Sequence, residues 1–309
     1  MTEEPLRPEP SDESAHVPGD EALWNESWYF DFAATAQKIG GWVRLGLYPN
    51  GHRAWINALL CGPGMPTIAL NDFQAPMPAD PTDVRTGELA LTLDAEDPLR
   101  KYRVRVHGQG QAYDDPAALL RGETGRPTDI SVDLIWSTSG IPYQYRWTTR
   151  YEIACTVSGT VTVDGRVHPV QTAPGQRDHS WGVRDWWGMD WVWSALHLDD
   201  GTHLHAVEVR IPDAPRVGTG YTQFRDEPLV ELEQVTAREM FAANSLPVSA
   251  ALAVEPGGVV ANCEVLAHAP VRLAADDGRI SEFPRAWVAV TMADGRTGTG
   301  WMEWNRNLG

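Results

Sequence analysis

The chain has 309 residues, of which 42% are hydrophobic and 22% charged, and its formal net charge is −17. This composition excludes a mostly disordered or collagenous chain. The negative charge, with no local basic patch, argues against nucleic-acid binding. No signal-like segment or apolar run of 18 residues occurs, so we expect a soluble, cytoplasmic protein without a membrane span. Its three scattered cysteines, Cys61, Cys155 and Cys263, indicate buried, reduced thiols.

The chain begins with an acidic, proline-rich segment. Residues 1–22 carry seven acids and four prolines with almost no bulky apolar side chain, which predicts a disordered acidic tail. From residue 23 onward, short runs rich in Val, Trp, Tyr and Thr are separated by hairpin-turn dipeptides such as Asn50-Gly51 and Asp164-Gly165. Only residues 234–244 and 116–120 have a pattern that permits a helix. The sequence therefore predicts an all-β protein.

The number of short strands indicates two barrels. One strongly twisted sheet rarely exceeds about ten strands before it closes or splits. A weak internal repeat favours a duplication, because residues 42–52 and residues 191–203 both have the pattern of a strand with tryptophan, a hairpin turn and a strand with histidine. We predict an N-terminal barrel over residues 23–172 and a C-terminal barrel over residues 173–309, with the boundary in the 169–175 stretch.

Residues 175–193 carry the most chemical information. They interleave charged side chains with five tryptophans, a density of charge that a simple core excludes. A histidine flanked by carboxylates in apolar surroundings is suited to proton transfer. If the segment is extended, His179 and Trp181 share one face, while Asp178 and Ser180 share the other. Asp178 then acts on His179 through orientation and charge. The alternative is structural: an ion-pair lattice of Arg177, Asp178, Arg184 and Asp185 over packed tryptophans.

The segment Gly175–Trp186 reads Gly-Gln-Arg-Asp-His-Ser-Trp-Gly-Val-Arg-Asp-Trp. It resembles the Asp-His-x-Trp-Gly element of the carotenoid 1,2-hydratase and AttH-like group, which includes lipocalin-type Diels–Alderases, in the longer form seen in actinobacterial sequences. The ending Gly298–Trp304 is a weaker match to the last strand of that group.

This resemblance implies two tandem lipocalin-like (calycin) antiparallel β-barrels with an apolar ligand cavity. It also implies chemistry without a metal or organic cofactor, namely protonation of or water addition to a terpenoid double bond, or a cyclisation. By position, His179 and Trp181 take the places of the motif histidine and tryptophan. The hydratases carry a further Tyr/Asp pair where this sequence has His203, His205 and Glu208, so the expected reaction is not restricted to hydration.

His203 and His205 are the other conspicuous histidines. Alternate strand residues place both imidazoles on one face, whereas Glu208 falls on the opposite face. We therefore predict no metal here. A pocket-lining or proton-relay pair and a pair with purely structural hydrogen bonds both stay open.

Several residues are candidates for substrate contact. On one strand, alternate positions are occupied by Trp191, Trp193 and His197, so their side chains share one face, which points either into the barrel cavity or outward. Trp187 lies close to them in sequence. Glu303 shares parity with Trp301 and is either an acid of raised pKa beside an indole or an edge-strand charge. We interpret Asn25, Glu26 and Ser27 as turn and cap residues.

The predicted function is that of a cofactor-free lyase or isomerase, of hydratase/dehydratase or cyclisation type, on an apolar terpenoid or polyketide molecule. His179, Asp178 and Trp181 form the predicted catalytic group, and the substrate lies against these residues: Trp187, Trp191, Trp193, His197, His203, His205 and Glu303. The alternative is a non-catalytic carrier of hydrophobic small molecules. A homodimer is left open.

Overall fold

A computed structural model describes residues 5–275 and 277–308 of the chain. It is built from two large antiparallel sheets, which confirms the predicted all-β class and its two tandem lipocalin-like barrels. Within the described ranges, no helix is long and apolar enough to cross a membrane.

The first sheet follows the chain from residue 24 to residue 183. Its strands are β1 (Trp24–Ala34), β2 (Ile39–Tyr48), β3 (Arg53–Gly62), β4 (Met65–Pro76), β5 (Asp83–Thr86), β6 (Leu89–Asp97), β7 (Lys101–Tyr113), β8 (Arg126–Ser137), β9 (Tyr143–Gln144), β10 (Arg150–Val163) and β11 (Arg166–Val183). Their order is β4-β3-β2-β1-β11-β10-β8-β7-β6-β5, and β4 also pairs with β7. This extra pairing closes the sheet into a barrel.

The second sheet follows from residue 190 to residue 308. Its strands are β12 (Asp190–Leu198), β13 (Thr202–Arg210), β14 (Val217–Phe224), β15 (Val230–Glu231), β16 (Gln234–Phe241), β17 (Pro247–Glu255), β18 (Val259–His268), β19 (Val271–Ala274), β20 (Ile280–Phe283), β21 (Ala286–Met292) and β22 (Thr297–Leu308). Their order is β15-β14-β13-β12-β22-β21-β18-β17-β16, and in addition β20 pairs with β22 and β19 pairs with β20. Strand β16 returns against β14, where the backbone of Val235 closely approaches Gly218.

Helical structure is short. Helix α1 spans Ala117–Arg121, and single 3-10 turns cover Pro10–Glu13, Thr35–Gln37, Pro49–Gly51 and Trp186–Gly188. Residues 116–120 were predicted correctly as helix-forming. The prediction of a helix over residues 234–244 was wrong, because most of this segment forms strand β16. There Val235 and Ala237 alternate with exposed neighbours and pack into the core of the second sheet.

The chain divides into two compact units. Unit 1 contains the described residues of 1–60, 68–112 and 126–184, and unit 2 contains those of 61–67, 113–125 and 185–309. This differs from the boundary that we expected near residue 172, since β11 runs without a break through that point. Its second half pairs with β1 and β10, which keeps residues 173–183, with the histidine motif, in unit 1.

The predicted disordered tail also differs from the structure. Residues 1–4 of that prediction lie outside the described residues, but residues 5–22 are placed, and Glu13 is buried. Low hydrophobicity predicted disorder because it measures missing apolar burial. Here polar contacts hold the segment instead. We call residues 10–16 the N-terminal strap.

Candidate active site

The pairing of β1 with β11 assembles the candidate site. Trp28 lies opposite His179 in the register, and Glu26 lies opposite Trp181. The Phe30 ring, which shares their face of β1, lies 4.9 Å from the ring of Tyr102 on β7, a strand that is not adjacent to β1. This face of the sheet therefore points into the barrel of unit 1.

His179 is completely buried, and protein acceptors lie at both of its ring nitrogens. Its Nε2 is 2.8 Å from Glu26 Oε1, and its Nδ1 is 2.7 Å from the backbone carbonyl oxygen of Asp12. The Trp28 ring stacks on the imidazole at 4.4 Å. Since a carbonyl and a carboxylate both accept hydrogen bonds, the two contacts fit a ring that carries a proton on each nitrogen.

Glu26 is the carboxylate of the site. Burial tends to raise its pKa, but hydrogen bonds from His16 and His179 outweigh that effect and hold the pKa of Glu26 below its ordinary value. The interpretation of Glu26 as a turn or cap residue was therefore wrong. Its position between Trp24 and Trp28, facing inward from a strand buried on both faces, is the signal that could have identified it.

His16, in the N-terminal strap, is the third member of this cluster. Its Nδ1 lies 2.7 Å from Glu26 Oε1, and its backbone N–H donates to the same carboxylate. Its ring stacks on Trp181 at 3.9 Å with an interplanar angle of 11°. No local sequence pattern predicts this arrangement, since Glu26 and His16 meet only after the strap has packed on the barrel.

Arg177, two residues before His179 on the same face, forms a buried ion pair with the strap. Its Nη1 and Nη2 atoms donate to the two carboxylate oxygens of Glu13 at 3.1 and 2.7 Å. Glu13 also accepts the backbone N–H of Leu99 at 2.8 Å, and the guanidinium lies over the Tyr102 ring. Charge is thus balanced inside the barrel by an acid from outside the sheet.

Asp178 lies on the opposite face of β11, as strand alternation predicted. Its carboxylate pairs with Arg150 at 2.7 Å, and Arg150 also pairs with buried Glu152. Glu26 and the Asp12 carbonyl, rather than Asp178, therefore contact the His179 ring directly. The alternative lattice also differs in its partners, because Arg177 pairs with Glu13 and not with Asp178.

Tyr151 adds a phenol on the Nδ1 side of His179. Its hydroxyl oxygen is 3.5 Å from that nitrogen. Burial raises the pKa of Tyr151 well above its ordinary value, so the phenol keeps its proton. The site therefore combines a histidine, an ionised carboxylate and a neutral phenol within aromatic walls.

The remaining candidates lie in unit 2. Trp191, Trp193 and His197 occupy the face of β12 opposite Val192 and Leu196, which pack in the hydrophobic core of that sheet. They consequently do not line the interior of the second barrel.

Glu303 is engaged in an ion pair. It binds the guanidinium of Arg285 and accepts the indole N–H of Trp191 at 3.0 Å. It therefore lies beside an indole, as one sequence alternative expected, but its charge is paired with that of Arg285. The Arg285 guanidinium also lies over the Trp193 ring.

The three candidate histidines of unit 2 lie in two separate contacts. His197 and His203 face each other through their Nδ1 atoms at 2.9 Å, whereas His205 Nδ1 lies 2.9 Å from the backbone oxygen of Ser194. Trp187 is half-buried under the guanidinium of Arg279. A cavity of about 310 Å³ opens elsewhere in unit 2, and its walls contain none of these candidates, being formed by residues such as Leu204, Phe224 and Met292.

His16, Glu26 and His179 also bring three possible metal-ligand atoms within 4.8 Å of one another. Both histidine nitrogens, however, approach the same Glu26 oxygen at 2.7 and 2.8 Å. Ligands about 2.1 Å from one tetrahedral ion would lie about 3.4 Å apart. The distances are those of hydrogen bonds, which favours a proton-sharing cluster.

Solved structures with this fold are known. The chain aligns with an AttH-like protein from Nitrosomonas europaea at a TM-score of 0.67 and 17% identity, covering 97% of each chain. Kievitone hydratase from Nectria haematococca aligns at 0.60 and 14% identity over 98% of each chain, and CghA at 0.59 and 12% over 96% of this chain and 94% of the other. At these identities the likeness shows the fold alone. It confirms that the chain has the fold of the group that its motif resembles.

Among curated proteins, none is significantly similar in sequence to this chain. The model of one protein family, described as a domain of unknown function (DUF7064), matches residues 9–308. The match spans both units and includes the strap and the histidine motif. The chain therefore belongs to the DUF7064 family.

Proposed function

We propose that this protein is a lyase or isomerase that works by proton transfer at His179 on an apolar small molecule. The observation that carries the proposal is the 2.8 Å hydrogen bond between His179 Nε2 and Glu26 Oε1, buried among aromatic rings. A carboxylate in that position holds the imidazole in one orientation and stabilises its protonated form, which is the arrangement general acid–base catalysis requires.

The hydrogen bonds of His179 identify the nitrogen that would react. Glu26 accepts from Nε2, so Nδ1 is the atom that exchanges a proton with the substrate, and Tyr151 lies on that side. In a hydration, Nδ1–H would protonate one carbon of a double bond while water adds its oxygen to the other. The proton that water loses would return to Nδ1, leaving the protein unchanged. Dehydration is the reverse.

The substrate class rests on the walls of the site and on analogy. Trp28 and Trp181 offer aromatic faces, which can stabilise a developing positive charge by about 0.5–2 kcal/mol per contact. The hydratase among the structural neighbours supports a reaction of hydratase/dehydratase or cyclisation type, as an argument from fold. We infer a terpenoid or polyketide substrate and chemistry that needs neither metal nor organic cofactor. The three free, buried thiols fit a reducing compartment such as the cytoplasm.

A second candidate is a non-catalytic carrier of hydrophobic molecules. One observation favours it: protein groups occupy both nitrogens of His179, and its side chain has no exposed surface. In a carrier, the cluster would only stabilise the barrel. Catalysis requires that the contact between Asp12 and Nδ1 opens.

A deuterium-exchange experiment separates the two candidates. The protein is incubated in D₂O with a panel of terpenoid alkenes, enones and polyketide enols, and products are analysed by mass spectrometry. An enzyme incorporates deuterium faster than buffer alone does, or changes the substrate by the mass of water, and His179→Gln abolishes this excess. The matched control His107→Gln, at an exposed position of β7, retains it. Binding of a panel member without any mass change would support the carrier.

A further inference from the structure

The N-terminal strap contacts the reactive groups of unit 1 in the way a ligand would. Asp12 offers its carbonyl oxygen to His179 Nδ1, and Glu13 offers its carboxylate to Arg177. These residues are 167 and 164 positions distant in sequence from their partners, and the strap belongs to no strand of the barrel.

The contact between Glu13 and Arg177 has the features of carboxylate recognition. Two parallel N–H···O bonds form a fork, the Leu99 amide adds a third donor, and the Tyr102 ring lies under the guanidinium. Such forks are the preferred means by which proteins bind carboxylates. A buried guanidinium needs a counter-ion, but a carboxylate of another molecule would balance its charge equally well.

The strap is held mainly by these polar contacts. In its 3-10 turn, Glu13 is the buried residue, and of the flanking apolar side chains Pro8 is buried while Leu6 is 41% and Val17 92% exposed. Opening the strap breaks these contacts, and a ligand that offers its own carboxylate and a second oxygen to the same donors offsets that loss. Exchange of the strap for a ligand is therefore feasible without disturbing the barrel.

The geometry points to a binding site for a small apolar carboxylic acid at the position now held by residues 10–16. The acid's carboxylate replaces that of Glu13 on Arg177 and the Leu99 amide. A carbonyl or hydroxyl oxygen of the same molecule replaces the Asp12 oxygen at His179 Nδ1, and its apolar body lies against the aromatic rings of Tyr102 and Trp28. This inference rests on the proposed function only in the role of His179, and it narrows the substrate to acids with a second oxygen.

Binding can be tested without turnover, using the full-length chain and 4-phenylbutyrate, with 4-phenylbutanol as the neutral probe of similar shape. Calorimetry should show the acid binding Glu13→Gln at least tenfold more tightly than the wild type, because the competing carboxylate is gone. The alcohol should bind both proteins weakly and equally. Asp20→Asn, an exposed acid outside the strap, should behave as the wild type.

Hydrogen exchange of the wild type gives the second readout, which stands even if Glu13→Gln fails to fold. Saturation with the acid should speed exchange of the Ser14 and His16 amides, which the strap protects, and leave the Leu99 amide protected by the new carboxylate. Equal affinity for acid and alcohol, or acid binding without faster exchange in the strap, would overturn the inference. Neither result depends on whether His179 catalyses a reaction.

Discussion

His179 and Glu26 are 153 positions apart in sequence, yet Nε2 of one lies 2.8 Å from Oε1 of the other in the interior of unit 1. The antiparallel pairing of β1 with β11 creates this contact, because it places the inward-facing positions of both strands side by side. The stability and the proposed chemistry of unit 1 both depend on it.

Replacement of Glu26 by Gln should lower the free energy of unfolding at neutral pH by about 1–3 kcal/mol, since buried His179 and partly buried His16 lose a charged acceptor. A carboxyl whose pKa is lowered by folding stabilises the protein above its unfolded pKa, about 4.3, and this contribution disappears as the pH falls through the folded value. The stability difference between wild type and Glu26→Gln should therefore shrink in acid, as measured by urea unfolding.

Glu88→Gln, at an exposed turn position, is the matched control and should leave the stability unchanged throughout. If the difference between the wild type and Glu26→Gln grew as the pH fell below about 4.3, the inferred ionisation of Glu26 would be incorrect.

The histidine pair of unit 2 should make the protein sensitive to mild acid. Burial lowers the pKa of His197 well below its ordinary value, with repulsion from His203 as the second cause. In the unfolded chain His197 becomes protonated near pH 6.5, whereas in the folded chain it stays neutral at that pH. The free energy of unfolding therefore falls as the pH drops below about 6.5. His197→Gln should lose less stability than the wild type between about pH 7.5 and about pH 5.5 in urea unfolding. Parallel pH curves for the two proteins would contradict this.

Asp178 should act on stability and leave the His179 ring unchanged. Asp178→Asn weakens a buried pair with Arg150, and we expect a loss of about 1–3 kcal/mol, because the amide can still accept a hydrogen bond. The ring ¹⁵N chemical shifts of His179 should stay those of the wild type. A shift as large as that caused by Glu26→Gln would show that Asp178 controls the protonation of His179 after all.

The cluster of His16, Glu26 and His179 should work without a metal ion. Elemental analysis of the purified protein should find no stoichiometric zinc, iron or manganese, because the nitrogen–oxygen separations are those of hydrogen bonds. One equivalent of metal in the wild type that is lost from His16→Gln would reverse this interpretation.

The sequence predicted the fold well because its signals were local. Hairpin dipeptides and strands with alternating burial, such as β8, need only a few neighbouring residues to be recognised, although β16 was mistaken for a helix. The motif around His179 could be found for the same reason, and alternation alone placed Asp178 on the opposite face.

The partners of His179 could not be predicted in this way. Glu26 meets the motif through strand pairing, and His16 and Glu13 meet it through a strap whose composition resembles that of a disordered tail. Their contacts are set by tertiary packing over more than 150 positions, which no local pattern encodes. The two compact units divide after residue 184 and not near residue 172, because β11 runs without a break past its prolines at positions 169 and 174.

The most direct test of the account compares turnover and binding in His179→Gln, on any substrate that the wild type converts. Removal of the proton-transfer group should lower kcat by a factor of about 10²–10⁴ while Kd stays within a few-fold of the wild type. Residual activity that merely follows the folded fraction, measured by urea unfolding of the same samples, would contradict the account. It would show that His179 only stabilises the barrel and that the chemistry takes place elsewhere.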